Sequence, residues 1–366
     1  MEQRQILVYG SLPEPNLHNL EEGAEQASCQ LHFVASPRDA ARWLDDHEAH
    51  GLLLDMQAPE AEQVALQARA TARLAQLPIL AATSSVDDLA FAEAFTWGAD
   101  DVLRLDKQWQ LTARLRALPS EPPPAPSRRA AGVIVADMDQ SRRIVLGRVL
   151  RNAGYTVTFA VTRDDVVQFA QMPGQELVVL GPEIEGVPAE LIDHSRRAGS
   201  NVTFIVARAP RELKTMRSEI GQLPGVSVMD GYSPAENVLF LANELRNGGR
   251  VQNQRASARL LFGTRVYFRG AGRDEDDVGY CYNLSEGGLY VRTLAPAEDD
   301  LVWLELVPPR NERRVRLVGR IVWRRRFGFQ EFATVPPGFG AQIVDGAKAD
   351  LDAWAAGYSA FSEALG

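Results

Sequence analysis

The sequence predicts a multidomain chain in which two α/β units, each built on a parallel sheet, precede a six-stranded antiparallel β-barrel with a C-terminal helix. Three observations lead there. Residues 1–118 and 131–246 both alternate short apolar runs with amphipathic stretches. Those runs lack period-two alternation, as strands buried on both faces do. Beyond residue 255 the helical period vanishes, and β-rich runs follow one another at short spacing.

In the first unit the strand candidates are Ile6–Tyr9, Leu31–Ala35, Gly51–Leu54, Pro78–Ala82 and Asp101–Arg104, with helical patterns such as Pro37–His47 and Val86–Trp97 between them. This alternation implies an open parallel sheet covered on both faces. Residues 119–130, opening Pro119-Ser120-Glu121-Pro122-Pro123-Pro124, cannot continue a helix and read as a semi-rigid linker. The second unit repeats the plan with Gly132–Ala136, Thr156–Ala160, Glu176–Leu180, Val202–Ala207 and Val226–Met229 as strands, and with helices including Gln140–Asn152, Arg163–Gln171 and Ala235–Arg246. The two units read as a tandem repeat. Residues 247–254 are Gly-rich and polar, a flexible arm.

The last unit, 255–366, offers Arg259–Phe268, Gly279–Leu284, Leu289–Thr293, Leu301–Val307, Arg316–Trp323 and Phe339–Val344 as strands. The stretch Ala347–Phe361 then places Leu351, Trp354, Tyr358 and Phe361 at near-helical spacing, a stripe expected to pack over one barrel end.

Composition narrows the function classes. The chain has 366 residues, 45% of them hydrophobic and 24% charged, as in folded globular proteins. No apolar run approaches the ~18 residues of a membrane span. Met1–Gln5 runs straight into a strand candidate with no apolar leader, so a cytoplasmic location is expected. The only cysteines, Cys29 and Cys281, exclude a disulfide scaffold and a Cys-rich zinc module. Between Arg250 and Asp345 lie 15 arginines, no lysine and 12 acidic residues, whereas the whole chain has net charge −9. A mildly basic module in an acidic body points to a local anion site, not to a surface that coats nucleic acid. Arg313, Arg314, Arg316 and Arg324-Arg325-Arg326 read as a solvated outer barrel face, and His47-Glu48-Ala49-His50 as a solvated helix end. There is no phosphate loop before a helix, no nucleophile elbow and no His-based triad, so no catalytic residue and no metal centre are expected.

The first unit resembles the receiver domain of bacterial response regulators, a flavodoxin-like fold. The carrying residues are Leu52-Leu53-Leu54-Asp55-Met56-Gln57-Ala58-Pro59, Leu80-Ala81-Ala82-Thr83-Ser84 and Gly98-Ala99-Asp100-Asp101-Val102-Leu103. The resemblance implies Asp55 as a phosphoacceptor and Thr83 as the hydroxyl near the phosphate. Yet the family's acidic pair after the first strand is here Tyr9-Gly10-Ser11, and the family lysine falls at about Leu105, next to Arg104. Phosphoryl transfer to a carboxylate needs Mg²⁺, and Mg²⁺ needs further carboxylates. In the second unit Asp137 and Asp139 keep acidic positions, read as loop or N-cap acids, while the acceptor position is Gly181. Two such pseudo-receivers imply protein–protein contact, homodimerisation included.

The last unit resembles a PilZ domain. Arg255-Ala256-Ser257-Ala258-Arg259 is an R-x-x-x-R motif, and Asn283-Leu284-Ser285-Glu286-Gly287-Gly288 is an N-x-S-x-x-G motif. Gly319-Arg320-Ile321-Val322-Trp323 and Gly338-Phe339-Gly340-Ala341-Gln342-Ile343 complete the likeness. The implied ligand is cyclic di-GMP. Guanidinium forks match its phosphodiesters and the O6/N7 edge of guanine. Arg255 and Arg259 are the leading contacts, Arg250 and Gln254 auxiliary ones. Asn283 offers an acceptor and donors to a guanine edge, Ser285 a hydroxyl, and Gly288 a close approach. Gln254 leaves open whether one ligand or an intercalated pair binds. The expected role is a cyclic di-GMP receptor in signalling, with motility or surface polysaccharide as outputs. The competing readings are a nucleotide-independent scaffold and a regulator gated by phosphorylation of Asp55.

Overall fold

A computed structural model describes residues 3–71, 73–74, 76–84, 87–121, 131–246, 259–327 and 335–365. In the first unit five fully or largely apolar runs form β1 (Arg4–Tyr9), β2 (Cys29–Val34), β3 (Gly51–Asp55), β4 (Ile79–Thr83) and β5 (Asp101–Arg104), alternating with α1 (Glu14–Gln26), α2 (Pro37–Asp46), α3 (Ala61–Ala70), α4 (Asp88–Thr96) and α5 (Gln108–Ala117). All pairings are parallel, in the order β2-β1-β3-β4-β5. Two helix starts draw a side-chain acceptor from the sequence nearby: the Asp39 amide donates to Ser36 at α2, and the Ala90 amide to Asp87 at α4.

The second unit consists of β6 (Gly132–Ala136), α6 (Gln140–Asn152), β7 (Thr156–Ala160), α7 (Arg163–Ala170), β8 (Gln175–Leu180), α8 (Pro188–Arg197), β9 (Thr203–Arg208), α9 (Leu213–Ile220), β10 (Val226–Asp230) and α10 (Asn237–Arg246). Its order, β7-β6-β8-β9-β10, repeats that of the first sheet. Each sheet therefore has one core on either face, and each has its chain reversal between its first and third strands.

The third sheet closes. Strands β12 (Arg265–Gly270), β13 (Asp277–Ser285), β14 (Gly288–Arg292), β15 (Leu301–Leu306), β16 (Val315–Arg325) and β17 (Gly338–Gly346) pair antiparallel, and the β13–β14 pairing completes a six-stranded barrel. The expected strand Arg259–Phe268 is divided: a short β11 (Leu260–Leu261) pairs with the far end of β13, ahead of β12. The final helix, α11 (Lys348–Leu365), buries Trp354 and Tyr358 in the barrel core, and Phe361 meets Phe262 edge-on. The expected stripe is the packing face. Among the described residues no helix is long and apolar enough to cross a membrane.

The barrel rests on both α/β units. Tyr280 of β13 packs against Phe91, tilted, and Phe95, edge-on, of α4, with centroids 5.0 and 5.5 Å away, so the barrel's outer face joins the core of the first unit. Tyr282 reaches the second unit, its hydroxyl donating to the Glu236 carbonyl at 2.5 Å.

Candidate functional site

Asp55 ends β3, and Gly181 directly follows β8, at the carboxyl ends of the two parallel sheets. Asp55 is buried and accepts the Gln57 amide at 3.0 Å. Gly10 leaves β1 at φ +121°, where a Cβ would lie 2.7 Å from that of Asp55, so only glycine fits beside this carboxylate. In the second unit the side chain of Asp137 fills the space in front of Gly181, and a Cβ on Gly181 would collide with it. Arg142 then neutralises the pocket: its guanidinium grips both oxygens of Asp137 at 2.9 and 3.1 Å and reaches Glu183 at 2.9 Å. Burial works against that guanidinium, but its hydrogen bonds to Asp137 and Glu183 outweigh it and hold it above the ordinary arginine value. Asp139 is an N-cap, accepting the Arg142 amide, whereas Asp137 is an ion-pair partner. Among the described residues no group of three or more His, Cys, Asp or Glu is placed to hold a metal ion.

On the barrel the second motif folds as a turn between β13 and β14. A bulge at Cys281–Asn283 shifts the register and turns the buried Asn283 toward the outer wall, opposite Tyr290. Ser285 Oγ donates to the Gly288 carbonyl at 3.3 Å, and the Trp354 indole of α11 donates to the Glu286 carbonyl at 2.7 Å. The motif loop is thus tied to the lid helix. Gly288 allows a close approach, but to β17: a Cβ there would strike the Ala341 carbonyl oxygen, while Gly287 faces open space. Gly288→Ala is therefore expected to cost about 1–3 kcal/mol by overpacking, and Gly287→Ala no more than about 0.5 kcal/mol, compared by urea midpoints.

These residues line one cavity of about 620 Å³ with Arg259, Tyr290, Val322, Trp323 and Gln342. Such a volume lies within the roughly 300–1,000 Å³ common for small-molecule sites. Arg259, Asn283, Ser285 and Gly288, drawn from two motifs, therefore meet at one place. Arg250, Gln254 and Arg255 lie outside the described residues.

Sequence reasoning missed the aromatic wall. Strict alternation along β16 would put Trp323 inside with Leu317 and Ile321. An irregularity between Ile321 and Trp323 instead leaves Val322 61% and Trp323 44% exposed. Trp323 lies 5.6 Å from Tyr290, ring to ring, and offers a planar face to the cavity. The one signal was an aromatic closing a run of alternating apolar residues.

The basic outer face divides. Arg314 and Arg316 pair with Glu305, Arg313 with Asp350 and Arg326 with Glu298. Arg325 corrects the expectation of a solvated run: it is buried.

A second constellation sits where the three units meet. Arg114 of α5 donates to Asp101 at 3.2 Å, to Asp277 of β13 at 2.5 Å and to the Val278 carbonyl. Arg69 and Arg148 grip Asp100 from the first and second units at 2.9 and 2.5 Å. Arg292 of β14 donates to both carboxylate oxygens of Glu236 at 2.9 Å and to the Ala99 carbonyl, and lies 3.5 Å over the Phe95 ring. The joint thus balances four buried guanidiniums against four buried carboxylates. Burial raises Asp100, but Arg148 and Arg69 outweigh it and hold that carboxyl below the usual range. Burial pushes Asp277 up even beside Arg114.

No family model and no curated protein matches this chain. Among solved structures it is similar to a response regulator in red light signaling of R. palustris, at 17% identity and TM-score 0.28, over 32% of this chain and 99% of that one. It is similar to a PilZ domain of CeSA from a cellulose synthesizing bacterium, at 16% identity and TM-score 0.22, over 29% and 99%. It is also similar to a probable two-component system response regulator/GGDEF domain protein, at 18% identity and TM-score 0.30, over 67% and 100%.

Proposed function

We propose that this chain is a cytoplasmic bacterial signalling protein, without catalysis of its own, that binds cyclic di-GMP on the outer wall of the barrel and passes the occupancy of that site to protein partners through its α/β units. The observation that carries this reading is the convergence of Arg259, Asn283, Ser285 and Gly288 on one cavity with an aromatic wall. Each group has a task on a bis-guanine diester. Arg259 offers a fork to a phosphodiester or a guanine edge. The Asn283 amide presents an acceptor and donors to a purine edge. Trp323 and Tyr290 offer faces on which a base stacks. Arg255, four residues before Arg259, supplies the second guanidinium of the arm.

Calorimetric titration of the full chain, freed of carried-over nucleotide, tests this. Saturable binding of cyclic di-GMP is expected, with Arg259→Ala and Asn283→Ala each weakening it by about 10- to 100-fold, the worth of one good bidentate contact. No heat and no melting shift in the wild type, or unchanged affinity in both variants, would leave only a nucleotide-independent scaffold.

A further inference from the structure

Three glycines line the cavity: Gly287, Gly288 and Gly340. Gly287 belongs to the turn before β14, and Gly288 is held against the Ala341 carbonyl oxygen. Gly340 is different. It lies inside β17, outside the left-handed region, and a Cβ there would meet nothing nearer than 3.8 Å, from Tyr290 and Val322. Neither the backbone nor the packing of the chain requires glycine at this position. Glycine weakens a strand interior, and one setting that uses it there is the close approach of a ligand.

The strand register places its neighbours. Tyr290 of β14 and Trp323 of β16 pair with Gly340 from either side, and their rings lie 5.6 Å apart. Two residues on, about 7 Å along the strand, Gln342 pairs with Gly288, the last residue of the second motif. Side chains alternate along a strand, so Gly340 and Gln342 share one face of the sheet. Gln342 is exposed and lines the cavity, and among the described residues its carboxamide has no hydrogen-bond partner. One row thus offers an aromatic face beside bare backbone. The next offers a free donor and a free acceptor. A planar heterocycle stacked in the first row presents its polar edge to the second.

We propose that β17 supplies a base subsite of this cavity: a guanine of the nucleotide lies against Trp323 over the bare backbone at Gly340, and Gln342 pairs with its edge. This rests on the cyclic di-GMP reading above and uses only residues that line the cavity. The Gln342 amide donates to guanine O6 while its carbonyl accepts from N1–H, a two-bond pairing that needs no charge. Trp323 contributes the stacking face.

Calorimetric titration of the full chain with cyclic di-GMP tests this in Gln342→Leu, Gly340→Ala, Trp323→Leu and the double variant Gly340→Ala/Trp323→Leu, with melting temperatures measured alongside. Q342L and G340A are expected to melt within a few degrees of wild type, because neither change meets packed neighbours. Q342L is expected to bind about 10- to 100-fold more weakly, the worth of one two-bond base contact. G340A is expected to bind about 10-fold more weakly, because its methyl stands where the ring lies. In the W323L background the further loss from G340A should shrink to less than about 3-fold, since the ring has already lost its platform. Wild-type affinity in either Q342L or G340A would overturn the subsite and leave the nucleotide reading standing. So would a G340A loss that is the same with and without Trp323, or one accompanied by a collapse in melting temperature. A wild type that binds no cyclic di-GMP ends the nucleotide reading, and the subsite with it.

Discussion

Arg114→Ala is expected to be among the most damaging single substitutions in the chain, lowering stability by about 3–5 kcal/mol. The guanidinium is fully buried and is shared by Asp101 of the first α/β unit and Asp277 of the barrel. Its removal strands two carboxylates in a place without water. Urea titration followed by tryptophan fluorescence measures the loss. The pH dependence identifies its cause. Carboxylates stranded by burial have folded-state pKa values above their unfolded ones, so they favour the fold only when protonated. The deficit of the variant should therefore shrink as pH falls toward 4 and be largest at neutral pH. A deficit independent of pH would mean that lost packing, not stranded charge, is responsible. Combining Arg114→Leu with Asp101→Asn and Asp277→Asn should recover much of the loss, since a buried ion pair is worth little against a neutral replacement of similar shape.

Arg292→Ala should cost a similar amount, about 3–5 kcal/mol, but open a different seam. This side chain ties the end of β14 to Glu236 of the second unit and to the carbonyl of Ala99 in the first. Hydrogen exchange should rise at 235–240 and at 99–101 while the barrel core around Leu289 and Val291 stays protected. Exchange that rises uniformly would argue against a discrete joint. The wild-type joint has an acid limit of its own. Asp100, held below the usual carboxylate range, contributes stability that is complete above its unfolded pKa and drains away as pH falls through its folded one. The urea midpoint should thus drop steeply below about pH 4. Because β14 begins at Gly288 in the cavity and ends at Arg292 in the joint, one strand spans both the candidate ligand site and the contact between units.

The α/β order was legible because buried parallel strands announce themselves as unbroken apolar runs, such as Leu52–Leu54 and Val133–Ala136. Asn283, Ser285 and Gly288 were legible because a turn between strands needs particular residue types at fixed offsets. Arg325 was not. In sequence it is the middle of three arginines, and only burial distinguishes it from Arg324 and Arg326, whose side chains reach the Ala297 carbonyl and the Glu298 carboxylate. The outward side of Trp323 was not legible for a related reason: alternation predicts a side until an irregularity reverses it, and no local pattern marks this one. Asp100 and Asp101 entered only as part of a family-like stretch, since their partners come from all three units.

The amino-acid order alone determined which segments pair locally and which residues have the chemistry to hold an anionic nucleotide, because backbone periodicity and side-chain type are properties of short stretches. The tertiary structure alone decided which of the many arginines are paired with carboxylates, which are buried, and that the barrel is fastened to both α/β units. Charge pairing and burial depend on groups from about 30 to nearly 200 residues apart along the chain, and packing brings them together.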